Sequence, residues 1–366
     1  MMDTEGEASP RASETEEVTV VLAAVDTSAL AGHVLDLAAQ IAANETGAQE
    51  LRRISHAHGA DVVQAYMGHV QDYAEAQVRT VLATLADGRF VYELDNGARI
   101  AVAITIDADR RGALIDFSGT SAQLADNFNA PSSICKAAVL YVFRTLLDVE
   151  IPINSGCLRP LRLRIPAGSM LSPTYPAAVV AGNVETSQAI VDALYGALGV
   201  LAASQGTMNN FTFGDATYQY YETICGGTGA GADFDGTSAV HSHMTNSRLT
   251  DPEVLEWRFP VLLERFEIRA QSGGGGRHRG GDGTRREIRF LRPMSAGMLA
   301  NHRRIAPFGL DGGLDGATGA DYVRRADGSV ERLTGNAPVE LAAGDTFVIQ
   351  TPGGGGFGTP AVPARG

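Results

Sequence analysis

Amide, hydroxyl and carboxylate side chains crowd together at two places in this sequence. Asn183, Glu185, Thr186, Ser187 and Gln188 form one cluster, Gln205, Thr207, Asn209 and Asn210 the next, and an apolar segment separates them. Amides and hydroxyls each offer a donor and an acceptor, and a carboxylate is a base or a strong acceptor, so the clusters hold the parts of a polar binding site. Caps and turns use one or two such residues at a helix end, and part of the set suits that role as well. Farther on, His241-Ser242-His243 sets two imidazoles at alternate positions. In an extended segment both face one side, which suits a divalent metal or a substrate carboxylate, with Glu222 as a third ligand from elsewhere. An unliganded pair bonded to backbone fits the same spacing. Asn127 and Asn129 suit either Asx-turns or contact with a ligand.

The two clusters need an element between them. Ala189, Ile190, Ala193, Leu194, Ala197, Leu198 and Leu201 recur at three- and four-residue spacing, which predicts a helix with one buried face. Thr186 or Asn183 suits its cap, and Glu185 the positive end of its dipole. Upstream the pattern from Val34 to Leu85 is helical, with Val62, Tyr66, Met67, Val70, Tyr73, Ala74, Val78 and Leu82 on one face of a helix bracketed by Gly59 and Gly88. The period then changes to two: Arg89–Leu94, Ile100–Ile106 and Ala113–Phe117 read as a meander of strands joined by the turn sequences Asp95-Asn96-Gly97 and Asp107–Gly112. Pro131 opens a further helix, Ser132–Leu147.

The remainder favours strands. Ile151–Pro176 alternates short strands with turns, Leu263–Arg269 alternates in charge like a strand with one wet face, and Arg286–Leu291 resumes a strand. Asp327-Gly328 marks a hairpin turn, and Leu341–Thr351 reads as one last β segment. Gly226–Gly236, Ser272–Gly283 and Pro352–Gly358 are dense in glycine, and the middle run suits either a tight β-connection or an anion cradle. Met1–Glu17 is acidic and reads as a disordered leader, and Val18–Val25 as a short strand. The expected fold class is therefore mixed α+β. Residues 1–33 form an atypical leader, 34–87 a helical segment, 88–250 a central layered α/β region with the polar clusters, and 251–366 a β-rich C-terminal third.

Composition narrows the partners. A net charge of −13 over 366 residues leaves no basic footprint for nucleic acid or anionic lipid. Lys136 is the only lysine, and the phosphate-loop pattern G-x-x-x-x-G-K-[ST] is missing, so a nucleotide, if needed, binds elsewhere. Cys135, Cys157 and Cys225 are too widely spaced for a zinc pattern or a disulfide framework and fit a reducing cytoplasm. The longest apolar runs fall short of the roughly 18 residues of a membrane span.

Seven separated segments, in matching order, resemble the hydantoinase B/5-oxoprolinase family. They are Asp126–Pro131 with its following helix, Ile151–Cys157, Ala181–Gln188, Ser204–Asn210, Tyr221–Thr223, His241–Asn246 and Thr351–Gly358, and the likeness runs from about Asp36 to about Pro360. The resemblance implies a part of an enzyme that opens five-membered cyclic amides or ureides, such as 5-oxoproline or hydantoins, with ATP hydrolysis. It implies that a separate hydantoinase A-type subunit binds ATP and activates the ring carbonyl by phosphorylation, while the B-type part completes hydrolysis. Under that implication Asn183, Asn209 and Asn210 supply amide donors to the carbonyl and Glu185 is the base that aligns water. Asn127, Asn129, Thr186, Gln188 and Glu222 contact substrate, and His241 and His243 hold a divalent metal or shuttle a proton. Family members begin with a long segment of histidine- and aspartate-bearing metal motifs that Met1–Leu35 does not match. An incomplete B-type subunit is thus expected, working with an A-type partner and a separate N-terminal B-type segment. The alternatives are a non-catalytic structural partner and a subunit of a metal-dependent carboxylase of the acetone carboxylase type.

Overall fold

The computed structural model describes residues 30–360, so the expected leader at Met1–Glu17 and strand at Val18–Val25 lie outside the described residues. The chain divides into two units, residues 1–71 and 72–366. The first contains α1 (Leu30–His58), which stops at Gly59, where φ is +89° and a side chain would be strained. The division falls within α2 (Ala60–Thr84), the helix expected from the apolar spacing. Its stripe is only half buried: Ala74, Val78 and Leu82 are enclosed, whereas Val62, Tyr66 and Met67 stay exposed.

The second unit opens with the expected meander. β1 (Gly88–Glu93), β2 (Arg99–Ile106) and β3 (Ala113–Asp116) pair antiparallel, and β4 (Leu161–Arg164) adds parallel to β3. Alternation turns Ile100, Val102 and Ile104 inward. Two helices, α3 (Ser132–Thr145) and α4 (Ser187–Leu198), supply the facing apolar layer. Pro131 stands just before α3, where its missing N–H costs nothing. The aliphatic side of α4 packs on β1 and β2, and at Gly196 the absence of a side chain lets the Phe90 ring lie against the helix. The expectation of several short strands over Ile151–Pro176 is met only by β4; a 3₁₀ turn, Ser155–Leu158, capped by Asn154, takes up chain before it.

Two further antiparallel sheets form the C-terminal part. One is ordered β12-β9-β5-β6, from β5 (Asn210–Gly214), β6 (Gln219–Thr223), β9 (Met294–Leu299) and β12 (Val339–Leu341). The other is ordered β11-β10-β13-β8-β7, from β7 (Val261–Ile268), β8 (Thr284–Phe290), β10 (Ala320–Arg324), β11 (Val330–Arg332) and β13 (Thr346–Gln350). The Phe211 ring of β5 lies 4.8 Å from that of Phe347 of β13, tilted by 50°, and Phe213 lies 5.3 Å from Phe290 of β8, so the two sheets share an aromatic core. The expected β segment Leu341–Thr351 contains β13, and its first residue, Leu341, ends β12 in the other sheet; Asp345 accepts from the backbone N–H groups of Ala342 and Ala326 and turns the chain between the two strands. A short helix, α5 (Pro252–Arg258), was not expected from the pattern; Asp251 caps it and Trp257 is exposed.

The glycine-rich runs pack backbone on backbone. A Cβ at Gly354 would overlap the Thr228 carbonyl, and one at Gly280 would overlap that of Gly354. Gly281 N–H donates to Thr228, Gly354 N–H to Gly281 and Gly274 N–H to Gly354, at 2.8–2.9 Å. Of the two readings open for Ser272–Gly283, these bonds favour close backbone packing, because the amides an anion would use already point at protein carbonyls. Among the described residues, no helix is long and apolar enough to cross a membrane.

Candidate active site

The polar cluster before α4 is wound as a π-helical turn, Gly182–Thr186. Such turns are rare and concentrate at functional sites. The wide turn sets Glu185 inward, 1% exposed, where Oε1 accepts from Thr207 Oγ1 at 2.9 Å, Met208 N–H at 3.0 Å and Asn210 Nδ2 at 2.7 Å. The two sequence clusters therefore meet at one carboxylate oxygen. Oε2 has no partner among the described residues, and burial pushes the Glu185 carboxyl up to about 8, outweighing the donors and the charge of Arg303.

Asn210 carries this arrangement to a surface. Its second Nδ2 hydrogen goes to the Leu299 carbonyl at 2.9 Å, and its Oδ1 accepts from Tyr221 OH at 2.7 Å. Both donors are used, and one acceptor lone pair of Oδ1 is left. Asn210, Asn127, Tyr221 and Asn336 line a cavity of about 510 Å³ whose apolar walls include Val184 and Leu299. Asn336 accepts from Ala300 N–H, which leaves its Nδ2 and the whole Asn127 amide without a hydrogen-bond partner among the described residues. A pocket with apolar walls and a few amides free to donate and accept can hold a small planar ring carrying N–H and C=O groups.

Other expected site residues serve the frame. Asn129 is fully buried and joins Leu124, Asp126 and Ala178 backbone carbonyls to one amide. Thr186 donates to the Phe128 carbonyl at 2.6 Å, and Gln188 to the Ser242 carbonyl and Thr245 Oγ1. Asn209, at φ +46°, gives Nδ2 to Gln205 and to the Ile224 carbonyl and accepts from Arg303. Arg303 in turn pairs with Asp321 at 2.8 Å. Asn183 is exposed at the π turn. Glu222 forms a bidentate pair with Arg286, both side chains at most 2% exposed, and accepts from Tyr220 OH as well. Burial still raises its carboxyl above the ordinary range, against the opposing pull of Arg286.

The imidazoles have separate surroundings. His243 sits at φ +54° in a turn, so the extended backbone that would align it with His241 is lost. Its Nε2 lies 3.1 Å from Asp192 Oδ1 and its Nδ1 3.5 Å from Tyr141 OH, whereas His241 Nδ1 has no partner among the described residues. Among these residues no group of three or more His, Cys, Asp or Glu is placed to hold a metal ion, so this donor set does not fit the anticipated metal.

Tyr221, Asn336 and the apolar wall residues were not foreseen as site residues. Tyr221 stood beside Glu222 in the sequence, and strand alternation, once β6 is known, puts it on the opposite face. Asn336 had only its place in the polar loop Gly335-Asn336-Ala337-Pro338 as a signal.

Comparison with known proteins gives a consistent match. The model of the family Hydantoinase B/oxoprolinase matches residues 11–360. 5-Oxoprolinase 1 of Arabidopsis thaliana is 48% identical over 340 residues, which cover 88% of this chain and 27% of that protein. The chain thus spans about a quarter of the length of this relative. Its fold is similar to that of an ATP-dependent caprolactamase from Pseudomonas jessenii, with a TM-score of 0.77 at 23% identity over 94% of this chain and 64% of the other. It is also similar to that of a nucleotide-free acetone carboxylase, with a TM-score of 0.80 at 17% identity over 94% of this chain and 55% of the other.

Proposed function

The chain belongs to the hydantoinase B/oxoprolinase family, and from that membership we propose that it is the ring-binding B-type part of an ATP-dependent hydrolase of five-membered cyclic amides or ureides, of the 5-oxoproline or hydantoin type. The observation that carries the reading is the fixed amide of Asn210 at the cavity, gripped by Glu185, Leu299 and Tyr221. In the bound state the ring N–H donates to Asn210 Oδ1, and the ring carbonyl accepts from Nδ2 of Asn127 and Asn336. Those donors strengthen as the carbonyl oxygen gains negative charge on the way to the tetrahedral state. Glu185 acts behind Asn210 as a positioning residue, since its carboxyl is enclosed and held by three protein donors.

ATP binds to an A-type partner subunit, in keeping with a single lysine and glycine runs whose amides are bonded within the protein. Cytoplasmic placement agrees with three cysteines that are all free and buried. The test is ring opening of 5-oxoproline and hydantoin by the chain with its A-type partner and Mg-ATP. Turnover that falls roughly 10-fold or more in Asn210→Ala, the scale of one lost hydrogen bond that leaves its partner unpaired, supports the reading. Turnover indifferent to Asn210 refutes it.

A further inference from the structure

Gly297 is a glycine that neither packing nor backbone conformation demands. A Cβ placed there would meet Pro338 Cα and Thr212 Oγ1 at 3.7 Å, ordinary contact distance, and the residue is not in the left-handed region. That sets it apart from Gly280 and Gly354, where any side chain would overlap neighbouring carbonyls. It occupies the half-open face of β9 between Ser295 and Leu299, with Thr212 opposite it on β5 and Tyr221 opposite Thr212 on β6. Glycine within a strand marks a place where another group approaches closely. The ring cavity at Asn210 is lined by Gly297 and Leu299, and a second cavity, of about 550 Å³, is lined by Gly297 and Ser295. Thr212, Tyr221 and Pro338 border both cavities.

We propose that the two cavities form one groove joined over Gly297, and that Gly297 is a specificity-determining residue that admits a substituent on the substrate ring. The inference rests on the assignment of the ring to the Asn127 and Asn210 end. From there the substituent crosses the bare backbone of Gly297, between the Tyr221 ring and Pro338, towards Ser295. Four residue steps from Leu299 to Ser295 give a floor of about 13 Å, longer than a five-membered ring needs. On a hydantoin ring the substituent is apolar and uncharged. Tyr221 and Pro338 offer it hydrophobic faces, and Asp215, the carboxylate at the far end, is already engaged by Thr217 N–H, Tyr218 N–H and Arg292. A leucine at position 297 would fill the junction, and an alanine would narrow it without disturbing the strand.

The test is ligand-observed NMR titration of the full chain with hydantoin and with 5-benzylhydantoin. Unaltered protein is expected to bind the benzyl compound at least 10-fold more tightly, the scale on which an apolar pocket rewards an added group. Gly297→Leu is expected to abolish that preference and Gly297→Ala to reduce it, with thermal melting confirming that each variant is folded. Equal affinity for the two ligands in unaltered protein, or a preference that survives Gly297→Leu, overturns the inference. Asn210→Ala separates the two levels: it must weaken both ligands. If it weakens neither, the ring is not held at Asn210, and the assignment on which the inference rests falls first. Should it weaken both while Gly297→Leu leaves the preference intact, only the groove is refuted.

Discussion

Replacing Glu185 by glutamine isolates the consequence of enclosing a carboxyl behind the site. Its proton is bound more tightly in the folded protein, near 8, than at the ordinary 4.5 of an exposed glutamate. Below pH 4.5 both states are protonated and burial of the acid carries no ionisation cost. Between the two values the unfolded chain gives up the proton and the folded protein keeps it, so stability falls as pH rises through that window and levels off above it. The maximum slope is about 1.4 kcal/mol per pH unit. From pH 5.5 to 7.5 this site alone therefore removes on the order of 2–3 kcal/mol. Glutamine keeps an oxygen in place of Oε1 for Thr207, Met208 and Asn210, and it has no proton to lose. All other titrating groups are common to both proteins and cancel in the comparison. Urea unfolding at the two pH values should show Glu185→Gln gaining on unaltered protein by that amount at the higher pH. Parallel losses in the two proteins would refute the raised carboxyl, and a gap that narrows with pH would show Glu185 ionised and stabilising.

Other perturbations act on separate features. Glu222→Ala strands the Arg286 guanidinium in the core and should cost about 3–5 kcal/mol. The paired change Glu222→Leu with Arg286→Leu should recover most of this in thermal melting, and failure to recover would deny that the unpaired charge is the cause. Gly354→Ala drives a methyl into the Thr228 carbonyl, for an expected loss of about 1–3 kcal/mol or more; an unchanged melting temperature would contradict the backbone-on-backbone layer. Asn209→Ala leaves Arg303 short of an acceptor and should lower stability by about 1–3 kcal/mol. Asn210→Ala should lower kcat/KM for ring opening as well as stability, whereas Asn209→Ala should lower stability alone, so the two adjacent asparagines separate when melting and kinetics are measured together.

Local periodicity made much of the frame readable. The spacing of Ala189, Ile190, Ala193 and Leu194 announced α4, Pro131 announced α3, and alternation with an Asn-Gly turn announced the β1–β2 hairpin. What was not readable depends on partners distant in the chain. Val339–Leu341 and Thr346–Gln350 form strands of different sheets because the first pairs with β9 and the second inserts between β8 and β10. The site shows the same limit. Asn127, Asn129, Asn209 and Asn210 are one residue type in polar loops, yet Asn129 and Asn209 bond inward while Asn127 and Asn210 border the cavity. Adjacent residues of equal polarity differ only in which way tertiary contacts turn them. The histidine spacing misled for a related reason: a positive φ at His243 breaks the extended geometry on which the shared face depended.

The most direct test is a crystal structure of the chain with hydantoin bound. We expect the ring in the cavity beside Tyr221, its N–H within hydrogen-bond distance of Asn210 Oδ1 and its carbonyl oxygen facing the amides of Asn127 and Asn336. A ring found elsewhere, or seated there with Asn210 turned away, would contradict the assignment of this cavity to cyclic-amide binding.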